Sequence, residues 1–510
     1  MALSEGSGIG VTRAERAGRD GLLMVLDAGG GGGRCLLIDT AGRQVAFAYR
    51  PWTMRAPDYN PMGSVFDPEE WWSALAAAAR EALAEAVAAG RGGAEGPEVL
   101  AMSTTSIRDG SVWLDAQGDE VYCGTNRDGS AVGLGFEIAQ NLGELHWRIT
   151  GRWPLGLDPA ARLLWHKRER PDVFERVRHV MMVSDWVRYR LSGEIAVEPT
   201  NASSSGLFDI EKGTWSRELA EAHQFDPAIL PEVRWPGQPA GVLSGQAARD
   251  LRLPEGIPVV TGLADTQAGC LGSGGWDAGD TVIVAGTTAP VMQVLDECGR
   301  DETRKTFLGS YAVPGKWARE GIAGLTGTAY AWYADAFVKE PDPYGVLDRE
   351  VAAAPAAEVM AWLGPAVSDF SALKFPADSV IKFPPLGVFC TPDRGMMARA
   401  VLENIAYSLK GILEQLPSKP DKVTVCGGQS RSAAFVSILA SVLGLPVAVP
   451  EVREATAMGA AAAAAVGAGV YGSLEEATLR MVRIALTVEP DPAAAGQYAA
   501  TYRKWLAGPG

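Results

Sequence analysis

The chain opens on apolar runs separated by glycine. Leu22-Leu23-Met24-Val25-Leu26 is unbroken, Cys35-Leu36-Leu37-Ile38 follows, and the turn signal Thr40-Ala41-Gly42-Arg43 leads into a third stretch over 44–49. Short apolar runs bounded by glycine and polar turns read as strands, so the opening predicts a β-meander. From Pro68 to Ala89 the spacing becomes helical, with Asp67 placed to cap and alanine as filling. Residues 98–103 and 111–114 read as strands around a polar turn, 177–193 as a helix, and the Pro/Gly-rich 231–256 as an irregular linker. Strands alternate with helices, which makes the fold class α/β.

Beyond the linker the opening pattern recurs loosely. Ile257-Pro258-Val259-Val260-Thr261-Gly262 is an apolar run followed by Asp265, and Thr281-Val282-Ile283-Val284-Ala285 enters Gly286-Thr287-Thr288 before a strand-like 290–295. Val423-Thr424-Val425-Cys426 enters Gly427-Gly428-Gln429-Ser430 and then a helix with Phe435, Ile438, Leu439 and Val442 on its apolar face. Two related lobes whose glycine turns face each other would form an interdomain cleft, the layout of a nucleotide clamp. The division is expected near residue 250: a flexible 1–20, an N-terminal domain over 21–250, a C-terminal domain over 251–486 and a helical tail over 487–510.

Length and charge narrow the class. A chain of 510 residues exceeds one ordinary domain, so two large cores are expected. The balance of 46 Lys+Arg against 61 Asp+Glu gives −15, with no basic block of the kind that tracks a phosphate backbone, which argues against nucleic acid. The 6 cysteines (Cys35, Cys123, Cys270, Cys298, Cys390, Cys426) are scattered without CxxC pairs, so neither a metal site nor a disulfide framework is indicated, and a reducing cytoplasm fits. Residues 1–20 lack the apolar core of a signal peptide. The Ala/Gly-rich 457–470 is shorter than the ~20 residues that span a bilayer and reads as a close-packed helix, so no membrane partner is expected.

The candidate chemistry sits in the turns. Asp27-Ala28-Gly29-Gly30-Gly31-Gly32-Gly33-Arg34 lets backbone N–H groups approach an anion unobstructed, while Asp27 is placed to hold a hydrated Mg²⁺. A flexible hairpin turn is the plainer reading of the same glycines. Gly286-Thr287-Thr288 offers hydroxyl donors in a second turn. Asp265, at the start of a small-residue helix, is placed to accept a proton from a hydroxyl attacking a phosphoryl group, or simply to cap the helix. Gly427-Gly428-Gln429-Ser430 opens a helix whose free N–H groups suit a nucleotide. Ser106-Ile107-Arg108-Asp109-Gly110 and Thr125-Asn126-Arg127-Asp128 carry the donors and acceptors that buried polyol hydroxyls require, or are exposed turn ion pairs. His146, His166, His179 and His223 show no ligand spacing and read as surface or helix histidines.

Taken in order, these turns resemble the FGGY carbohydrate kinases of the actin/hexokinase/Hsp70-like ATPase superfamily, from about residue 22 to about residue 486. The resemblance is strongest at Ser184-Asp185-Trp186 through Leu191-Ser192-Gly193-Glu194 to Asn201 and Gly206-Leu207-Phe208-Asp209, at 262–272, and from Val423 through Leu443-Gly444-Leu445-Pro446-Val447 to Glu454-Ala455-Thr456-Ala457-Met458-Gly459. It implies two ribonuclease H-like (actin-like ATPase) domains facing each other across a nucleotide and substrate cleft. The implied reaction is ATP- and Mg²⁺-dependent phosphorylation of a hydroxyl of a small sugar or polyol, in a chain for which a homodimer is an admissible state. Carried over, Asp265 looks like the catalytic base and also touches substrate. Asp27 is the acid near Mg²⁺, and Gly29, Gly30, Gly31, Arg34, Thr287, Thr288, Gly327, Gly427, Gly428 and Gln429 line the nucleotide. Arg108, Asp109 and Asp128 hold the substrate.

Within that family the chain is most similar to autoinducer-2 kinase-like members, which implies dihydroxypentanedione as acceptor. Xylulokinase-, ribulokinase- and glycerol-kinase-like enzymes, or a catalytically weak sugar-binding regulator, are the alternatives. Two departures stand out. The family's first turn usually reads Asp-x-Gly-Thr, and Gly30 stands at the threonine place, which removes a hydroxyl donor and adds backbone freedom to be ordered on ATP binding. The connection from Phe383-Pro384-Pro385-Leu386-Gly387-Val388-Phe389 to Arg399 is shorter than the family's.

Overall fold

The computed structural model describes residues 21–92, 96–364, 379–385 and 391–509. The segment 1–20, Cys390 and the part of the shortened connection over 386–389 lie outside the described residues.

The opening runs form the expected meander. β1 (Leu22–Ala28) pairs antiparallel with β2 (Gly32–Asp39), and β2 with β3 (Gln44–Pro51). On its other side β1 pairs parallel with β4 (Val99–Ser106), β4 with β6 (Pro258–Ala264), and β6 antiparallel with β5 (Pro239–Val242). The sheet order is therefore β5-β6-β4-β1-β2-β3.

The second sheet repeats the plan. β7 (Thr281–Val284) pairs antiparallel with β8 (Pro290–Leu295), and β8 with β10 (Trp317–Ile322), which β9 (Phe307–Ser310) extends. On its other side β7 runs parallel to β11 (Val423–Cys426), β11 parallel to β12 (Val447–Pro450), and β12 antiparallel to β13 (Ile484–Val488). Strand for strand, β1, β2, β4, β6 and β5 correspond to β7, β8, β11, β12 and β13.

The apolar runs are unbroken because β1 is buried on both faces. Leu22, Met24 and Leu26 join Trp71 and Leu75 of helix Pro68–Ala88, which Asp67 caps as expected. Leu23 and Val25 join Val282, Met292 and Val294 of the second sheet, with the Ala-rich helix Ala455–Gly467 between them. That helix is the close-packed one expected. A Cβ on Gly459 would stand 2.0 Å from the Ala268 carbonyl, so only glycine lets it lie backbone to backbone on helix Asp265–Leu271. Besides a core in each lobe, the two lobes thus share a third apolar cluster, which includes the helix that begins at Asp265.

Several expectations are corrected. Residues 177–193 begin as the strand His179–Met182 before helix Val183–Ser192, because the apolar Val180, Met181 and Met182, with His179, pair into a small sheet with Ser111–Leu114. The expected linker over 231–256 contains β5 and the helix Gly245–Leu251. A division near 250 falls between β5 and β6, which are hydrogen-bonded neighbours, so one that keeps the first sheet whole lies beyond Ala264. The C-terminal helix Pro492–Leu506 packs Tyr498, Tyr502 and Trp505 into the second lobe's core. Among the described residues no helix is long and apolar enough to cross a membrane, and five cysteines are free.

Candidate active site

Parallel pairing brings three distant segments together. β1, β4 and β6 run side by side and in register, with Ala28 opposite Ser106 and Ser106 opposite Ala264, so their carboxyl ends deliver Asp27, Arg108 and Asp265 to one edge of the sheet. Carboxyl ends of parallel strands are where open α/β sheets bind ligands. Asp27 is buried and pairs through Oδ2 with Arg34 Nη1 at 2.8 Å, which raises the Arg34 pKa, while its Oδ1 is buried without a partner. Asp265 begins helix Asp265–Leu271 at its first position, with Ala264 as the cap residue, so it is not the N-cap. Its Oδ1 accepts from the Thr266 N–H (2.6 Å) and hydroxyl (3.0 Å) and lies 3.9 Å from Arg108 Nε. Burial pushes the Asp265 carboxyl up to about 6; Arg108 opposes the shift and Asp27, near enough to repel, adds to it.

Arg108 does not form a turn ion pair with Asp109. Its guanidinium binds both carboxylate oxygens of Glu320 on β10, Nη2 to Oε1 at 2.7 Å, and each partner raises or lowers the other's pKa toward the charged form. This bidentate pair bridges the lobes. Nothing in the sequence around Glu320 distinguishes it from any strand carboxylate, so sequence reasoning missed it.

The segment following helix Val183–Ser192 braces these residues. Glu198 accepts from the Thr200 N–H and hydroxyl (both 2.6 Å) and from the Asn201 N–H (2.8 Å). The Thr200 hydroxyl in turn accepts the N–H of Ala264, the residue before Asp265, at 2.8 Å. Asn201 Nδ2 donates to Ser106 Oγ (3.2 Å), ahead of Arg108, and Ser204 Oγ accepts the Asp109 N–H (3.1 Å). Ser203 Oγ accepts the Ser310 N–H on β9 of the other sheet (3.1 Å). Burial raises the Asp185 and Glu198 carboxyls, with Arg188 between them at 3.3 Å from Asp185. The family-like stretch 184–209 is therefore a scaffold under the site.

Asp109 has a left-handed backbone (φ 60°), its carbonyl accepts from Arg162, and its Oδ1 lies 3.9 Å from Arg152 Nη2. With Arg152, Ser204 and Phe307 it lines a cavity of about 200 Å³. Asp128 stands apart. It is buried and accepts from Tyr122 Oη and from the Ser130 N–H (2.9 Å), so both its oxygens are engaged inside the lobe. The histidines are not surface residues as a group: His146, His166 and His223 are buried, and His146 and His223 meet Nε2 to Nε2 at 2.8 Å. Burial lowers all three to about 4.

The second lobe assembles the other predicted turns. β7 and β11 end side by side, Val284 opposite Cys426, so Gly286-Thr287 and Gly427-Gly428 emerge together. Gly427 has φ 86°, and a Cβ there would meet the Ala285 carbonyl at 2.6 Å, so the residue must be glycine. Gln429 Nε2 donates to the Gly286 carbonyl (3.1 Å) and to Thr326 Oγ1 (3.0 Å), and the Gly327 N–H donates to the Thr287 carbonyl (3.1 Å). Thr287 and Thr288 keep exposed side chains. Gly286, Thr287, Gly327, Gly428 and Gln429 line a cleft of about 620 Å³, whose far wall carries Tyr330 and Tyr344. Those two rings were missed because their helices show only ordinary amphipathic spacing.

Two equivalent α/β lobes, each presenting a glycine hairpin turn at the carboxyl ends of parallel strands, are the architecture of the actin-like ATPases. The family models described as FGGY family of carbohydrate kinases, N-terminal domain and C-terminal domain, match residues 22–272 and 281–468, and the chain belongs to that family. It is 33% identical over 511 aligned positions to the autoinducer-2 kinase of Escherichia coli strain K12, covering 95% of this chain and 93% of that protein. Xylulose kinase from Rhodospirillum rubrum superposes with a TM-score of 0.81 at 26% identity, over 95% of this chain and 98% of that one. Plasmodium falciparum glycerol kinase, solved with ADP, superposes at 0.82 and 17% identity, over 96% and 98%. The protein is an ATP-dependent phosphotransferase acting on a sugar.

Proposed function

We propose that the chain transfers the γ-phosphoryl group of ATP to a primary hydroxyl of a small, linear sugar-like acceptor, with dihydroxypentanedione the favoured one. The observation that carries this reading is Asp265. Its carboxyl keeps about a third of its surface open, stands beside the Arg108–Glu320 bridge, and is pushed up to about 6, in the range of a base working near neutrality. The likeness to autoinducer-2 kinases supports the acceptor.

In this reading ATP lies across the cleft, its nucleoside against the Gly427-Gly428-Gln429 turn and the Tyr330/Tyr344 wall, and its phosphates between Thr287-Thr288 and Gly29-Gly30-Gly31. Phosphoryl transfer needs chiefly positioning and charge neutralisation. The N–H groups of both turns and the Thr287 and Thr288 hydroxyls supply donors, and Arg34 a nearby cation. The unpartnered Oδ1 of Asp27 fits a carboxylate that holds Mg²⁺ through water. Bound there, Mg²⁺ would supply charge neutralisation for the phosphates. Asp265 accepts the acceptor's hydroxyl proton, Arg108 orients that carboxylate, and Asp109 binds the acceptor, with Asp128 supporting from behind through Tyr122. Lobe closure over the shared core would exclude water from the transfer.

ADP release with dihydroxypentanedione, xylulose, ribulose and glycerol tests the acceptor. The favoured reading expects the highest kcat/KM with dihydroxypentanedione; a higher value with xylulose would replace it. Asp265→Asn is expected to lower kcat by ~10²–10⁴ with ADP affinity retained, and near-normal turnover would remove Asp265 as the base. A base must be ionised to work, so kcat/KM should hold steady above pH 6 and fall about tenfold per unit below it.

A further inference from the structure

The cavity beside Asp109 holds a cation that phosphoryl transfer leaves without a task. Arg152 follows Gly151, whose left-handed turn (φ 66°) ends helix Val132–Thr150 and whose carbonyl accepts the Leu308 N–H of the other sheet at 3.0 Å. The arginine is thereby fixed where the two lobes meet. Its guanidinium lies 4.7 Å from the ring centre of Phe307 with the side chain only 20% exposed. Among the described residues that guanidinium donates no hydrogen bond; its ion-pair contact is Asp109 Oδ1 at 3.9 Å. A guanidinium carries five N–H donors in a rigid fork, and here they open on the cavity instead of on a protein acceptor, free to bind a ligand that enters it.

The charges around it limit what that ligand is. Arg108 is already neutralised by Glu320. The described residues lining the cavity include two carboxylates, Asp109 and Asp158, against the single guanidinium of Arg152. His146 on the same wall adds no charge near neutrality, since burial holds it at about 4. Behind the lining, the buried Arg162 guanidinium is shared among Asp109, Asp158 and Asp128, so carboxylates still outnumber guanidinium groups; a further carboxylate would add to that excess, whereas a neutral chain of hydroxyl and carbonyl oxygens accepts from Arg152 and donates to the acids. The volume of about 200 Å³ is below the roughly 300–1,000 Å³ of drug-sized pockets, so the ligand is small.

We infer that Arg152 and Asp109 are the specificity-determining pair of the acceptor site, reading neighbouring oxygens of a neutral polyhydroxy carbonyl compound and rejecting the corresponding sugar acid. This rests on the acceptor reading proposed above, in taking the cavity as the acceptor's part of the site.

Calorimetric titration without nucleotide tests it, with dihydroxypentanedione and D-ribulose as neutral probes and D-ribonate as the acid. The wild-type protein should bind at least one neutral probe tenfold or more tighter than ribonate. Arg152→Leu should weaken that neutral probe at least tenfold and Arg152→Lys at least threefold, with ADP affinity reporting that each variant is folded. Equal or tighter binding of ribonate, no binding of either neutral probe, or neutral-probe affinity within twofold of wild type in folded Arg152→Leu would overturn the inference. The wild-type comparison of ribulose with ribonate decides the charge preference even if a variant fails to fold. Arg152-dependent binding without ADP release on addition of ATP would sustain the inference and remove the bound probe as the phosphorylated acceptor.

Discussion

The hairpin turns at Gly29–Arg34 and Gly286–Thr288 occupy the same place in equivalent sheets, yet they are chemically opposite. The first has no hydroxyl between Asp27 and Arg34, and its polar content is the ion pair of those two residues at 2.8 Å. The second has no charge; it exposes two threonines and is braced from behind by Gln429 and the Gly327 N–H. One fold thus supplies a charged turn in one lobe and a neutral donor turn in the other. A phosphate chain lying between them meets both kinds of stabilisation, and the division shows that a repeated backbone need not repeat its chemistry.

Breaking the charged side should have the largest effect. Asp27→Asn keeps the shape and removes the charge, and kcat at saturating ATP is expected to fall ~10²–10³-fold, the size of losing one well-placed electrostatic contact; steady-state ADP release measures it. On the neutral side, Thr287→Val with Thr288→Val removes two hydroxyl donors worth about 0.5–1.5 kcal/mol each, so KM for ATP should rise roughly 5- to 150-fold. A larger loss from the threonines than from Asp27 would reverse the comparison. Gly30→Thr sharpens it with the smallest change. A Cβ at Gly30 has open space, its nearest neighbour being Ile107 Cγ2 at 3.8 Å, so the turn can accept the hydroxyl it lacks. ATP affinity by calorimetry should tighten by roughly 2- to 10-fold, about one hydrogen bond plus reduced backbone freedom; no change would mean that the glycine turn does not contact phosphate.

Much of this was legible in the chain. Apolar runs ending in glycine marked β1, β7 and β11, because strands buried on both faces must be apolar throughout and their exit turns must allow close approach. Asp27, Asp265 and the two glycine turns were legible for the same reason, each standing where such a run ends. What misled was local. Four apolar residues before Ser184 carry no sign of whether they continue a helix or pair as a strand, and a proline-rich stretch did not reveal β5, whose place is set by pairing with β6.

By itself the sequence determined the family, the α/β class and the glycine turns proposed for the site, since these depend on residue type at positions close along the chain. Only the tertiary structure decided the partners: Glu320 for Arg108 across the lobes, Thr200 beneath Asp265, Arg152 beside Asp109, and an internal task for Asp128. The physical reason is that a charged or polar group is satisfied by whatever stands within about 3 Å of it. In a fold of parallel strands whose lobes meet, that neighbour can be 64 residues away, as Thr200 is from Ala264, or 212, as Glu320 is from Arg108.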